Sequence, residues 1–189
     1  MTKLAVLGLA VVALLAAGCG GDEEAGTVAS GEVPFDMAFI DAMVPHHREA
    51  IDMAKAANDR GLTQADLKKI AGDIIESQQR EIDLMLAWRE EWFGSRRLGP
   101  IQAEVLGVPE SDLGMKHGSA DEVAGAVDVD ATFAEMMTSH HEGAIAMAEA
   151  AEKRGEHDEI KGLASAIIAA QEREIETFEE HASGEHHGR

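Results

Sequence analysis

The 189-residue chain has a single cysteine, no tyrosine, few aromatic side chains of any kind and less than half as many basic as acidic residues. Each shortage excludes something. The thiol, Cys19, lies near the start, so the body of the protein can form neither an internal disulfide nor a thiolate metal site. Any metal there must be held by histidine, methionine, carboxylate or amide groups. Without tyrosine or alternating β-branched runs, a sheet is not expected. The 16 Lys and Arg against 36 Asp and Glu give a formal net charge of −20. Nucleic acid and anionic lipid surfaces both need basic patches, so neither is expected as a partner. There is no glycine-rich phosphate loop between strand and helix, no nucleophile elbow and no Cys/His nucleophile pair, and an enzyme is not expected.

Apolar runs are short as well. The one that opens the chain, Leu4 to Ala17, falls short of the roughly 20 residues that a membrane-spanning helix needs. Lys3 precedes it and Leu15-Ala16-Ala17-Gly18-Cys19 ends it, an arrangement that resembles a bacterial lipoprotein signal. Residues 1–18 are then a removable signal, Cys19 becomes the acylated first residue, and the polar stretch 19–33 is a flexible tether. This places the mature protein outside the cytoplasm, anchored to the bacterial cell membrane through the lipid on Cys19.

What the chain does have is a phrase of sixteen residues that occurs twice. Phe-x3-Met-x2-His-His-x2-Ala-Ile-x-Met-Ala runs from Phe39 to Ala54 and again from Phe133 to Ala148. At about 100° per residue, Phe39, Met43, His46, Ala50 and Met53 form one stripe of a helix, with His47 and Ile51 at its edge. Phe133, Met137, His140, Ala144 and Met147 repeat the stripe, with His141 and Ile145 beside it. The imidazoles therefore fall on the face that buries hydrocarbon, where a polar nitrogen without a partner costs about 1–3 kcal/mol. Downstream of each phrase, Gln78-x2-Glu81 and Gln171-x2-Glu174 interrupt the apolar stripes of a second helix and are candidate partners. The repeat offset is 94 residues in the first helix and 93 in the second, so only the intervening turn has changed length.

The periodicity predicts an all-α domain over 34–182 with four main helices, at about 34–58, 63–92, 130–154 and 158–181. Thr63-x2-Asp66 has the spacing of a capping box. Short turns near Gly61 and Gly155 make each pair of helices an antiparallel hairpin, and the two hairpins form a four-helix bundle. Repeat one is 34–93, the connection 94–129, with one short helix opened by Ser119-x2-Glu122, and repeat two 130–182. A disordered tail is expected at 183–189. Pro45 interrupts the first helix, where Ser139 stands in the second copy.

Two chemistries fit the histidine pairs. Imidazole suits copper, zinc, iron and nickel, and thioether favours Cu(I) and, by the same softness, Ag(I). Met43 lies four residues before His47, and Met136 and Met137 lie four before His140 and His141, so thioether and imidazole share a helical face. Mixed Met and His points to copper before zinc, with other transition metals still possible. The other reading is a non-metal scaffold or interaction module, with methionines filling the core and a buried His-Gln-Glu network that holds no metal. A third reading, a ferritin-like metal oxidase with a di-iron site, is disfavoured, because Glu-x2-His is absent: Met43, Val44, Met137 and Thr138 occupy the positions three before the histidines. His117 and Met115 in the connection, His157, His181 and the His186-His187 pair are expected to be solvated.

The duplicated His-His phrase, together with Ile74-Ile75-x2-Gln78-x2-Glu81-Ile82-x2-Met85-x2-Trp88, resembles the family known as domain of unknown function 305. The likeness covers nearly the whole mature chain in two copies. It implies a ferritin-like four-helix fold in an extracytoplasmic protein, and copper binding through Met and His. Carried onto this sequence, the implied ligands are Met43, His46, His47 and Met53, and Met137, His140, His141 and Met147. Gln78, Glu81, Gln171 and Glu174 stand behind them. The expected function is copper buffering, sequestration or handover, with a protein partner unknown.

Overall fold

The computed structural model describes residues 33–115 and 119–182. The expected signal at 1–18, Cys19, all of the tether but Val33, His117, and the tail at 183–189 with His186 and His187 lie outside the described residues. Among the described residues there is no strand. The chain runs through α1 (Phe35–Arg60), α2 (Ala65–Phe93), two short helices α3 (Ala103–Leu106) and α4 (Ala120–Gly125), then α5 (Val129–Arg154) and α6 (Asp158–Ala182). The fold is the all-α bundle of two repeated hairpins that the periodicity predicts.

Helix α1 packs on α2 and α5, α5 packs on α6, and α2 meets α6. The two histidine-bearing helices are therefore neighbours. All five residues of each phrase stripe are buried, from Phe39 to Met53 and from Phe133 to Met147. The apolar side chains form two clusters. One gathers Phe39, Met43, Met85, Met147, Ala151 and Ile167, and the other Met53, Leu67, Phe133, Met137 and Phe178. The early turns of α1 thus share a cluster with the late turns of α5, and the reverse holds for the second cluster. An approximate two-fold axis follows, relating repeat one to repeat two. Helix α1 is continuous through Pro45.

Three local expectations are corrected. The Thr63–Asp66 capping box does not form: α2 begins at Ala65 without a side-chain cap, because Asp130 at the start of α5 takes both the backbone N–H of Thr63 (2.9 Å) and its hydroxyl. Asp66, the acceptor that the box would use, turns instead to the Leu67 N–H and to His181. The connection also holds more structure than one short helix. Ser119 does cap α4, accepting from the Glu122 N–H, but α3 and a 3-10 turn at Glu110–Asp112 precede it, fastened by buried Leu106, Val108 and Leu113.

The third correction concerns side chains expected in solvent. Met115 is partly buried against the first cluster. His157 donates from Nδ1 to Asp36 (2.6 Å) and stacks flat on Trp92, ring centres 3.8 Å apart. His181 pairs with Asp66 at 2.8 Å. Asp36 also accepts from the backbone N–H groups of Glu156 and His157, at 3.0 and 2.9 Å. Asp36 and Asp130 are 94 residues apart, the offset of the histidine phrase, and each ties down the turn that opens the second helix of the other repeat.

Candidate metal centre

The face-to-face packing of α1 on α5 brings His46 and His140 together across the approximate two-fold axis. Their ring centres are 3.7 Å apart and the rings tilted by 35°. Each also lies 6.4 Å from its neighbour in sequence: His46 from His47 at 57°, His140 from His141 at 56°. All four side chains are fully buried. Four imidazoles thus occupy one interior region, and the two halves of it repeat to within a degree of tilt.

The outer pair is anchored. His47 Nε2 lies 2.7 Å from Glu81 Oε2, and His141 Nε2 lies 2.7 Å from Glu174 Oε2. The carboxylates are 19% exposed, at the edge of the interior. A carboxylate only accepts, so the proton of each imidazole sits on Nε2 and the lone pair on Nδ1. That Nδ1 is buried without a hydrogen-bond partner in both residues.

The inner pair has no such anchor. Both ring nitrogens of His46 and both of His140 are buried without a hydrogen-bond partner. Burial first, then the neighbouring imidazoles of His140, His47 and His141, hold the His46 pKa well below the ordinary histidine value. The Leu113 carbonyl beside that ring opposes this more weakly, at a geometry short of a hydrogen bond. His140 is pushed down in the same way, by burial and then by His141 and His47, against the His46 backbone carbonyl. Both inner rings are neutral at pH 7, which is the ligating form.

The remaining candidates fall into two groups. Met43 and Met147 lie in one apolar cluster and Met53 and Met137 in the other, all four fully buried. Gln78 and Gln171 are buried with Oε1 unpartnered in each. Among the described residues, all the buried side-chain polar atoms without a partner belong to His46, His47, His140, His141, Gln78 and Gln171. Native interiors rarely leave such groups orphaned, and an absent ion is one of the standard reasons. The donor set therefore fits a metal. It is not already closed around one: no group of three or more His, Cys, Asp or Glu among the described residues stands ready to hold an ion. With metal–imidazole bonds of about 2.0–2.1 Å, the stacked inner rings leave no room for an ion between their faces, so ligation needs their edges or a turn of a ring.

Two features escaped the sequence reading. Glu49, one turn beyond His46, brings Oε2 to 3.7 Å from His140 Nε2 while remaining 45% exposed. Its spacing from His46, i and i+3, was the available signal. The connection also crosses α5 beside the inner pair. A Cβ on Gly143 would lie 2.4 Å from the Leu113 carbonyl, and one on Gly114, which has φ of 75°, would lie 2.9 Å from the His140 carbonyl. Only glycine permits that approach.

Comparison with known proteins bears on these groups. The family model described as "Domain of unknown function (DUF305)" matches residues 36–182. The solved structure of CopM in its Cu(I)-bound form is 32% identical, with a TM-score of 0.66, covering 80% of this chain and 97% of that one. CopM in its Cu(II)-bound form is 34% identical, with a TM-score of 0.65, covering 79% and 96%. A DUF305 fragment from Deinococcus radiodurans is 27% identical, with a TM-score of 0.66, covering 80% and 97%. No curated protein sequence matches.

Proposed function

The chain belongs to the DUF305 family, and from that premise we propose that it binds copper in the bundle interior through His46, His47, His140 and His141. The observation that carries this reading is the set of six buried imidazole nitrogens without a partner. Each costs about 1–3 kcal/mol while unsatisfied, and coordination removes that cost. The likeness to CopM, which has been solved with copper and also with silver bound, supports a soft or borderline metal. The thioethers of Met43, Met53, Met137 and Met147 favour Cu(I) over Zn(II).

Glu81 and Glu174, by accepting from Nε2, fix the tautomer that turns each Nδ1 lone pair inward, the usual task of a carboxylate behind a metal-binding histidine. Gln78 and Gln171 stand beside them as further polar support. We read the protein as a binder that buffers, sequesters or hands over copper, with no catalytic turnover. Outside the cytoplasm it would hold to the membrane through an acylated Cys19, and Cys19→Ser should release it from a salt-washed membrane fraction.

The central test is a Cu(I) competition titration of the untagged chain beside the His46→Ala/His140→Ala double variant. The parent should take up copper and the variant should lose most of it. Equal uptake by both would overturn the reading and leave the histidines as a structural network.

A further inference from the structure

The two repeats differ three residues beyond each inner histidine. Position 49 in repeat one is equivalent to position 143 in repeat two, and the residues are Glu and Gly. On the Gly143 side, the Leu113–Gly114 backbone lies so close to α5 that no side chain fits. On the Glu49 side, a carboxylate half in solvent reaches to within 3.7 Å of His140 Nε2. That distance is too long for a hydrogen bond, and with His140 neutral it is no ion pair, but it puts the carboxylate within reach of a cation on its way to the ring. Among the described residues, Glu49 is the carboxylate that comes this close to an inner ring.

We propose that the repeats share one interior cation site at the His46–His140 pair, that ions enter it from the α1 side, and that Glu49 is the carboxylate that captures the ion and passes it to His140. The proposal rests on the copper-binding reading above and adds the route. Its chemistry has a direction. A carboxylate attracts any cation out of water but is a poor ligand for Cu(I), whereas imidazole and thioether are good ones. An ion caught at Glu49 is therefore held loosely and moves inward to tighter donors. The approximate symmetry sharpens the argument: two equal mouths would need a carboxylate at 143, and the connection occupies that space.

The test is a stopped-flow measurement of metal loading. The metal-free full chain is mixed anaerobically with Cu(I) supplied as its cationic acetonitrile complex, and the ultraviolet absorbance change on copper ligation is followed at several salt concentrations. Glu49→Gln should load on the order of tenfold more slowly, the low end of what electrostatic steering supplies, and its rate should fall less with added salt. The equilibrium copper content should be unchanged, and Glu49→Asp should recover part of the rate. Glu142→Gln removes the same charge from the exposed face of α5 and should load like the parent. The inference is overturned if Glu49→Gln loads at the parent rate with the same salt dependence, or if Glu142→Gln slows loading equally. If the parent takes up no Cu(I), or if His46→Ala/His140→Ala loads fully, the copper-binding reading fails first.

Discussion

The two hairpins agree around the histidines and differ in a buried charge pair that only one of them has. In repeat one, Asp41 and Arg89 form a buried pair, with Arg89 Nε donating at 2.6 Å and Nη2 at 3.1 Å, while Nη1 reaches the Ser95 carbonyl at 2.7 Å. In repeat two the position equivalent to Asp41 is Glu135, which is exposed, and the position equivalent to Arg89 is Ala182. The histidine contacts, by contrast, match in both halves: 6.4 Å between rings and 2.7 Å to the glutamate. A buried charge pair is not needed to hold such a hairpin, since one hairpin does without it. The arrangement of imidazole and carboxylate is common to both, which is what a shared interior role requires.

The largest expected break in this comparison is thermodynamic. Arg89→Ala leaves Asp41 buried and unpaired and should cost about 3–5 kcal/mol, whereas Glu135→Ala should stay within about 0.5 kcal/mol. Urea denaturation of both variants measures the difference, and equal effects would mean that the pair is not desolvated in solution.

The metal-free chain should also lose stability in mild acid. His46 and His140 have folded pKa values below the ordinary 6.5, so below pH 6.5 the unfolded chain binds protons that the folded chain refuses. Stability then falls as pH drops from about 6.5 toward the folded values, by about 1.4 kcal/mol per pH unit for each ring once fully engaged. His46→Gln and His140→Gln should each remove about half of that slope in denaturation series between pH 7 and 5. Unequal halves would show that the inner rings are less alike than their packing.

Copper affinity should sharpen the agreement. Glu81→Gln and Glu174→Gln should each fold normally and weaken copper binding by about 10–100-fold, the same for both in competition titrations. No change for either would sever the link between the glutamates and the metal. Smallest are the reciprocal ties: Asp36→Asn and Asp130→Asn should each cost about 1 kcal/mol in thermal denaturation, as lost helix caps do. A loss in one alone would place the burden on a single turn.

Much of this architecture is legible in the sequence because helical periodicity reports which residues share a face. The stripes of Phe39 and Phe133 and the inward Glu81 and Glu174 follow from that rule. It does not say which faces meet. That His46 stacks on His140 depends on α1 packing against α5, a contact between residues 94 apart, and periodicity is silent on it. Asp36 and Asp130 escaped for the same reason. Each bonds to the turn of the other repeat, so local spacing points to Thr63 and Asp66 and misses the carboxylate that arrives from a distance. The Leu113–Gly114 crossing was hidden because close approach is signalled only by Gly143, and a helical glycine alone has no direction.

The crosswise ties of Asp36 and Asp130 have a further consequence. In a symmetric homodimer each contact occurs twice, residue i on j and j on i, and Asp36 on Glu156 with Asp130 on Thr63 has that form within one chain. Two copies of a lone hairpin could make the same contacts, but a mutation at any position would then appear on both sides of the axis at once. Joined into one polypeptide, the halves can vary independently. A carboxylate at 49 with a glycine at the equivalent 143 is an asymmetry that a homodimer of one hairpin could not encode.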